Sequence, residues 1–227
     1  MALNEQLEGK LLLEQSDHII GELVVEGILS KILGKPRNLS TGLSAVIIDV
    51  DTIEGRRVIK LRRSGALSEH LCYEQWSKQG VPVPHIYSAG YYGVHTEFGY
   101  LIMDPVLDSS GNLAKLGYEV DSNQRNAVEQ FLGTQLAKMH QAKADHFGGL
   151  VDDENTAVTA ANWNEYINYL LEKNQDDLLQ ICGIRPEEFD LMKQLIDLTY
   201  SFSAVYAHGD FGIYSVLIRN VTSVDGV

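Results

Sequence analysis

The sequence predicts an α+β fold, in which a strand-rich first part precedes a mainly helical second part. Two apolar, β-branched runs at residues 45–51 and 57–61 flank a turn, which is the pattern of a β-hairpin. An amphipathic stripe with helical spacing follows later, over residues 123–141. Because the strand signals cluster before the helix signals instead of alternating with them, the pattern favours an antiparallel sheet with separate helices.

The other predicted elements follow from apolar spacing and from the positions of glycine and proline. We predict a helix over residues 67–79, because the sequence GVPVP directly after it blocks further helix. Strands are expected near 85–88 and 99–103. Two more helices are expected in the second part, one around Trp163 and one that begins at Pro186.

We expect the chain to divide into two lobes, since the sequence changes from mainly strand patterns to mainly helical patterns after Asp104-Pro105. Residues 1–104 would form the strand-rich lobe and residues 105–227 the helical lobe. A ligand cleft between two such lobes is the ordinary expectation.

Composition limits the classes of partner. The 227 residues include 18 basic and 31 acidic side chains, a net charge of −13, which disfavours nucleic acid and anionic membranes as partners. Such an acidic chain could attract a cationic substrate, although many acidic proteins are acidic only for solubility. Cys72 and Cys182 form no CxxC motif, so neither a disulfide framework nor a zinc site is indicated. The N-terminus lacks a signal-peptide pattern, and the cytoplasm is the expected compartment.

The sharpest motif is the segment VYAHGDFGIYSVLIRN at residues 205–220. It sets His208, Gly209 and Asp210 in a loop between two short apolar runs, which predict strands. A carboxylate held rigidly in such a loop is suited to act as a general base. The same loop could also hold His208 and Asp210 as ligands of a metal-dependent hydrolase, although no further cluster completes a metal site.

This segment resembles the catalytic loop of aminoglycoside phosphotransferases and choline-kinase-like enzymes, a branch of the protein-kinase-like fold. The family's loop reads His-Gly-Asp, four variable residues, then Asn. The resemblance implies that Asp210 orients and helps to deprotonate a substrate hydroxyl. Ser215 stands where the family has the Asn that holds Mg²⁺, so Ser215 is the implied metal ligand and a departure from the family pattern.

Two charged residues extend the resemblance into the strand-rich part. Lys60 lies in the middle of the predicted strand RVIKL, on the same side as Val58, where burial of an unpaired charge would be unfavourable. The resemblance implies that Lys60 contacts the ATP phosphates and that Glu69, on the following helix, pairs with it. Glu74 is the alternative partner, and a solvent-exposed position is the ordinary alternative for all three side chains.

Two further segments resemble the nucleotide site of the family. LSTGLSAVII at residues 39–48 is similar to the loop and strand that cover the nucleotide, which implies that Gly42 and Ser44 lie at the phosphates. YLIMDPV is similar to the segment that links the two lobes and whose backbone bonds to adenine. Met103 would then lie at the back of the adenine pocket, with Asp104 beside it.

The resemblance implies a two-lobed protein-kinase-like fold with an antiparallel-sheet N-lobe that binds ATP and a helical C-lobe that holds the catalytic loop. The implied function is a Mg²⁺- and ATP-dependent phosphotransferase that acts on a small-molecule hydroxyl. The family's second Mg²⁺ ligand, an Asp, is expected just beyond Val227, so we expect a C-lobe that is incomplete at its C-terminus. The alternative is a non-catalytic nucleotide-binding or regulatory module.

Overall fold

The structure of the chain is a computed structural model that describes seven stretches of the sequence. They are residues 2–41, 45–62, 66–92, 98–148, 159–197, 203–206 and 217–218. The helices are α1 (Ala2–Val25), α2 (Ala66–Lys78), α3 (Arg125–Met139), α4 (Trp163–Lys173), α5 (Gln175–Gln180) and α6 (Pro186–Asp197), with a 3₁₀ turn at Gly117–Glu119. The strands are β1 (Arg37–Thr41), β2 (Ala45–Thr52), β3 (Gly55–Arg62), β4 (Ile86–Tyr91), β5 (Gly99–Met103), β6 (Lys115–Leu116), β7 (Phe147–Gly148), β8 (Thr159–Ala160) and β9 (Leu217–Ile218).

One antiparallel sheet of five strands dominates the first part of the chain. Its strand order is β1-β2-β3-β5-β4, so β3 lies in the centre between β2 and β5. The predicted hairpin is β2 and β3, which pair along their full length. The antiparallel sheet with separate helices confirms the predicted α+β class.

The first face of the sheet, here called the outer face, is covered by α1. Alternate residues of the strands point to one side of a sheet, and those on this side are apolar. They pack with the apolar stripe of α1 in one buried core that contains Leu12, Ile19, Ile20, Leu23, Leu29, Val46, Ile48, Val50, Ile59, Leu61, Tyr100 and Ile102. Helix α1 was not predicted from the sequence, although the spacing of its buried residues is helical.

The opposite face, here called the inner face, carries Ile47, Val58, Lys60, Leu101 and Met103. Helix α2 packs against the β4 and β5 end of the sheet. The approach is close at the start of the helix, since a Cβ atom on Gly99 would lie 2.6 Å from the Cβ of Ala66. A glycine is therefore required where α2 meets β5.

The second part of the chain is mainly helical, as predicted. Helix α3 buries Val128 and Leu132, and α4 packs against α6. The start of α4 is capped by Asn162, whose side chain accepts a hydrogen bond from the backbone N–H of Glu165 at 2.9 Å. None of the helices in the described stretches combines the length and the hydrophobicity that a membrane crossing requires.

Candidate active site

Lys60 lies at the centre of the inner face. It sits on the middle strand β3, opposite Ile47 of β2 and Leu101 of β5. Its neighbours Ile59 and Leu61 are fully buried in the outer core, so the alternation of the strand turns Lys60 the other way. The side chain is 25% exposed, and a charge held that far from water requires a partner.

Glu69, in the first turn of α2, is that partner. Its Oε1 atom accepts hydrogen bonds from Lys60 Nζ at 2.7 Å and from the Tyr73 hydroxyl at 2.9 Å. Its Oε2 atom accepts from Arg62 Nη1 at 2.5 Å. The Glu69 side chain is only 12% exposed, so one buried carboxylate is held by two cations and one hydroxyl.

The electrostatics of this cluster keep Glu69 charged. Burial alone would raise the pKa of Glu69, but Lys60, Arg62 and the Tyr73 hydroxyl together hold it below its ordinary value. The pKa of Tyr73 is raised strongly, mainly by burial and also by the nearby charge of Glu69. Tyr73 therefore stays a neutral hydrogen-bond donor. The alternative partner, Glu74, is exposed and lies 3.8 Å from His70 instead.

A second charged cluster lies on the same face of the sheet, at its other end. Asp49 of β2 is 1% exposed and accepts two hydrogen bonds of 2.8 Å from Arg56 of β3. Arg37 of β1 pairs with the same carboxylate at 2.7 Å. Burial would raise the pKa of Asp49, but Arg56 and Arg37 hold it below its ordinary value. This cluster was not predicted from the sequence, where its signal is Asp49, an acid between the apolar Ile48 and Val50 in the run AVIIDVD.

The last residue of β5, Met103, and the residue after it, Asp104, are the two residues predicted at the adenine pocket. Met103 is buried against Val58 and Leu101. The backbone N–H of Asp104 donates to the carbonyl of His85 at 2.9 Å, and its carboxylate accepts from the Tyr87 hydroxyl at 2.8 Å. The side chain of Asp104 is thus hydrogen-bonded to β4, and its backbone N–H to the segment before β4.

Helix α2 also connects the Lys60–Glu69 pair with the chain that leads to the predicted catalytic loop. Two helical turns after Glu69, the Trp76 indole N–H donates to the carbonyl of Tyr206 at 3.1 Å. The backbone N–H of Tyr206 donates in turn to the carbonyl of Ala142 at 2.9 Å. Because Tyr206 precedes His208 by two residues, α2 holds the start of the motif segment.

The sequence model of the phosphotransferase enzyme family, APH, matches residues 37–227. The chain belongs to this family. The match begins at β1 and includes both the Lys60–Glu69 pair and the HGD segment, whereas α1 precedes it.

Solved structures of the family have the same fold at low sequence identity. The apo form of a thermostable mutant of aminoglycoside phosphotransferase APH(4)-Ia is 13% identical, with a TM-score of 0.56, and the alignment covers 88% of this chain and 67% of that one. A ternary complex of such a mutant with ADP and hygromycin B is 11% identical, with a TM-score of 0.52 and coverages of 88% and 69%. The predicted protein-kinase-like fold is confirmed, and the chain spans about two-thirds of the length of these relatives. No curated protein sequence matches the chain.

Several predicted family residues lie outside the described residues. They are Gly42, Ser44, His208, Asp210 and Ser215, whose roles stay predictions. Within the described stretches, no group of three or more His, Cys, Asp or Glu side chains is placed to hold a metal ion. Lys60 and Glu69 are brought together, and Met103 lies on the same face of the sheet.

Proposed function

We propose that this phosphotransferase-family chain binds ATP against the inner face of its sheet and transfers the γ-phosphoryl group to a small-molecule hydroxyl. The observation that carries the proposal is the 2.7 Å ion pair between Lys60, on the central strand of the sheet, and Glu69, on α2. A lysine fixed by a buried carboxylate is a preorganised cation, which is what a polyphosphate requires. The membership in the family supports the same function.

In this proposal the nucleotide lies on the inner face of residues 1–104, the proposed N-lobe. Lys60 binds the phosphates, and Glu69 aims it. The backbone around Gly42 and Ser44 covers the phosphates. Adenine lies beside Met103, and the backbone of the linker that begins at Asp104 bonds to it. The Tyr87–Asp104 hydrogen bond supports this position of adenine, because it fixes the start of the linker to β4.

The chemistry belongs to residues 105–227, the proposed C-lobe. Asp210 accepts the proton of the substrate hydroxyl while the hydroxyl oxygen forms a bond to the γ-phosphorus and the bond to the ADP oxygen breaks. Ser215 is the proposed Mg²⁺ ligand, and a bound Mg²⁺ would neutralise charge on the phosphates. The Trp76–Tyr206 hydrogen bond supports this arrangement, since it ties α2 to the chain just before the catalytic loop.

The acceptor is proposed to be a small, cationic alcohol. The net charge of −13 gives the protein a field that attracts cations and repels anions. The relative crystallised with hygromycin B is an aminoglycoside phosphotransferase, which supports an amine-bearing substrate here. We also propose the cytoplasm, where ATP is available, as the compartment of the reaction.

A second candidate function is nucleotide binding without phosphoryl transfer. The observation that favours it is Ser215, which replaces the carboxamide of the family's Asn with a hydroxyl of shorter reach. ATP binding by a chain that forms no ADP with any acceptor would support this second function.

The test is ADP formation from MgATP with a panel of aminoglycosides, amino alcohols and sugars as acceptors. We expect acceptor-dependent ADP formation that Asp210→Asn reduces by about a thousandfold or more. Asp17→Asn on the exposed side of α1 makes the same chemical change and is the matched control. Equal rates for Asp210→Asn and the control would contradict the catalytic role of Asp210.

A further inference from the structure

Arg62 is a second cation bound to Glu69, and the family resemblance assigned it no role. Lys60 and Arg62 are two residues apart on β3, so their side chains leave the same face of the strand. They bind different oxygens of Glu69, Lys60 at Oε1 and Arg62 at Oε2. Glu69 therefore need not release one cation to bind the other.

The charges of this cluster do not cancel. Two cations and one carboxylate leave a net charge of +1 on side chains that are all at most 26% exposed. Among the described residues, Lys60 and Arg62 form no salt bridge with any other carboxylate. A Lys60–Glu69 pair without Arg62 would be neutral, so Arg62 accounts for the excess positive charge.

Arg62 also retains a hydrogen-bond donor that the described residues do not use. Its Nε atom is buried and has no hydrogen-bond partner within the described part of the chain. A buried donor without a partner lowers stability. A side chain kept in place at that cost is expected to serve something other than folding.

We propose that Arg62 is a positioning residue for phosphate binding, which neutralises Glu69 so that the charge of Lys60 remains available to the phosphates of a nucleotide. This role rests on the nucleotide site proposed above. Without Arg62, Lys60 must compensate Glu69 alone, and the phosphates meet a weaker positive potential. Adenosine carries no phosphate, so its binding does not depend on this potential.

The test compares the affinities for MgATP and for adenosine, measured by calorimetry on the full chain. We expect Arg62→Met to weaken MgATP binding about tenfold and to change adenosine binding less than twofold. Arg62→Lys should recover most of the MgATP affinity, because it restores the charge. Arg185→Met is the matched control, since Arg185 pairs with Glu188 on the surface of the helical part.

Thermal melts without nucleotide test the neutralisation of Glu69 separately. Lys60→Met and Arg62→Met each leave one cation on Glu69, whereas the double variant leaves none. We expect the double variant to lower the melting temperature by more than the sum of the two single changes. Additive changes would overturn the proposal.

The binding measurements distinguish failure of the Arg62 proposal from failure of the nucleotide site on which it rests. Equal losses of MgATP and adenosine affinity in Arg62→Met would assign Arg62 a structural role and overturn the proposal. Unchanged MgATP affinity in Arg62→Met would overturn it as well and leave the nucleotide site standing. A folded wild-type chain that binds neither ligand would overturn the nucleotide site itself, and the phosphate role of Arg62 with it.

Discussion

The two faces of the five-stranded sheet differ in what their side chains do. The outer face is apolar and lies in one continuous core with α1. The inner face interrupts its apolar residues with two ionic clusters, one around Asp49 and one around Glu69. Both faces are built from the same strands, so the alternation of β2 and β3 separates them.

This difference separates stability from binding. Burial of apolar surface on the outer face contributes stability without direction, whereas the inner face holds charges at defined positions. Substitutions on the outer face should therefore change stability alone, and those around Glu69 should change nucleotide affinity as well. The predictions below test that separation, in order of decreasing effect on stability.

The largest effect is expected from a cavity in the outer face. Leu61 is fully buried, and Leu61→Ala should lower the free energy of unfolding by about 3–4 kcal/mol, because the lost contacts and the cavity both count. Denaturant unfolding measures the loss, and calorimetry on the folded protein should give an unchanged MgATP affinity. Ile53→Ala is the matched control, since Ile53 is an aliphatic residue in the exposed turn between β2 and β3. A loss of MgATP affinity in folded Leu61→Ala would break the separation.

Asp49 should show that an ionic cluster on the inner face can still be structural. Asp49→Asn leaves Arg56 and Arg37 without their carboxylate and should lower the free energy of unfolding by about 3 kcal/mol. Unfolding in urea at pH 7 measures the loss.

Low pH should remove the difference in stability between the wild type and Asp49→Asn. The pKa of Asp49 is lowered in the folded protein, so its stabilisation is present above the ordinary Asp pKa and is lost as the pH falls below it. The wild type and Asp49→Asn should approach each other in stability between about pH 5 and pH 2. A gap that stays constant over this range would contradict the ionic role of Asp49.

Glu69 should affect both properties at once. Glu69→Gln keeps the size of the side chain but leaves Lys60 and Arg62 without a counter-charge. The free energy of unfolding should fall by about 2 kcal/mol. MgATP affinity should also fall, because Lys60 loses the group that aims it. Urea unfolding and calorimetry on the same sample measure the two effects. The exposed Glu74→Gln on the same helix is the control and should change neither.

The smallest effect is expected at Tyr73. Tyr73→Phe removes one hydrogen bond to Glu69, so the free energy of unfolding should fall by about 1 kcal/mol. Urea unfolding at neutral pH checks this value. An unchanged stability would show that water replaces the hydroxyl, and would place Glu69 nearer to solvent than the structure does.

The sequence predicted those parts of the fold that local patterns determine. The β2–β3 hairpin, α2, β5 and the helices from Arg125, Trp163 and Pro186 lie where spacing and proline positions indicated. The cluster around Lys60 was harder to predict. The residues alone did not decide whether Glu69 or Glu74 pairs with Lys60, and they gave no sign that Arg62 takes part. Which acid a strand lysine meets depends on how α2 lies on the sheet, and that is a tertiary property.

Two features were missed for different reasons. Helix α1 has an apolar stripe, but the run LLLEQ partly obscures its period, and the sheet that it covers is distant in sequence. The Asp49 cluster joins Arg37, Asp49 and Arg56 from three strands, and their pairing depends on strand register. Register is set by the whole sheet and was not read from the local sequence.

The central claim is that Lys60 binds the phosphates of a nucleotide on the inner face. It is tested most directly by calorimetric titration of MgATP into the wild-type chain and into Lys60→Met, with Lys10→Met on the exposed side of α1 as the control. We predict measurable binding by the wild type and the control, and at least a tenfold loss for a folded Lys60→Met. Equal affinities of the wild type and Lys60→Met, or no binding by a folded wild-type chain, would contradict the claim.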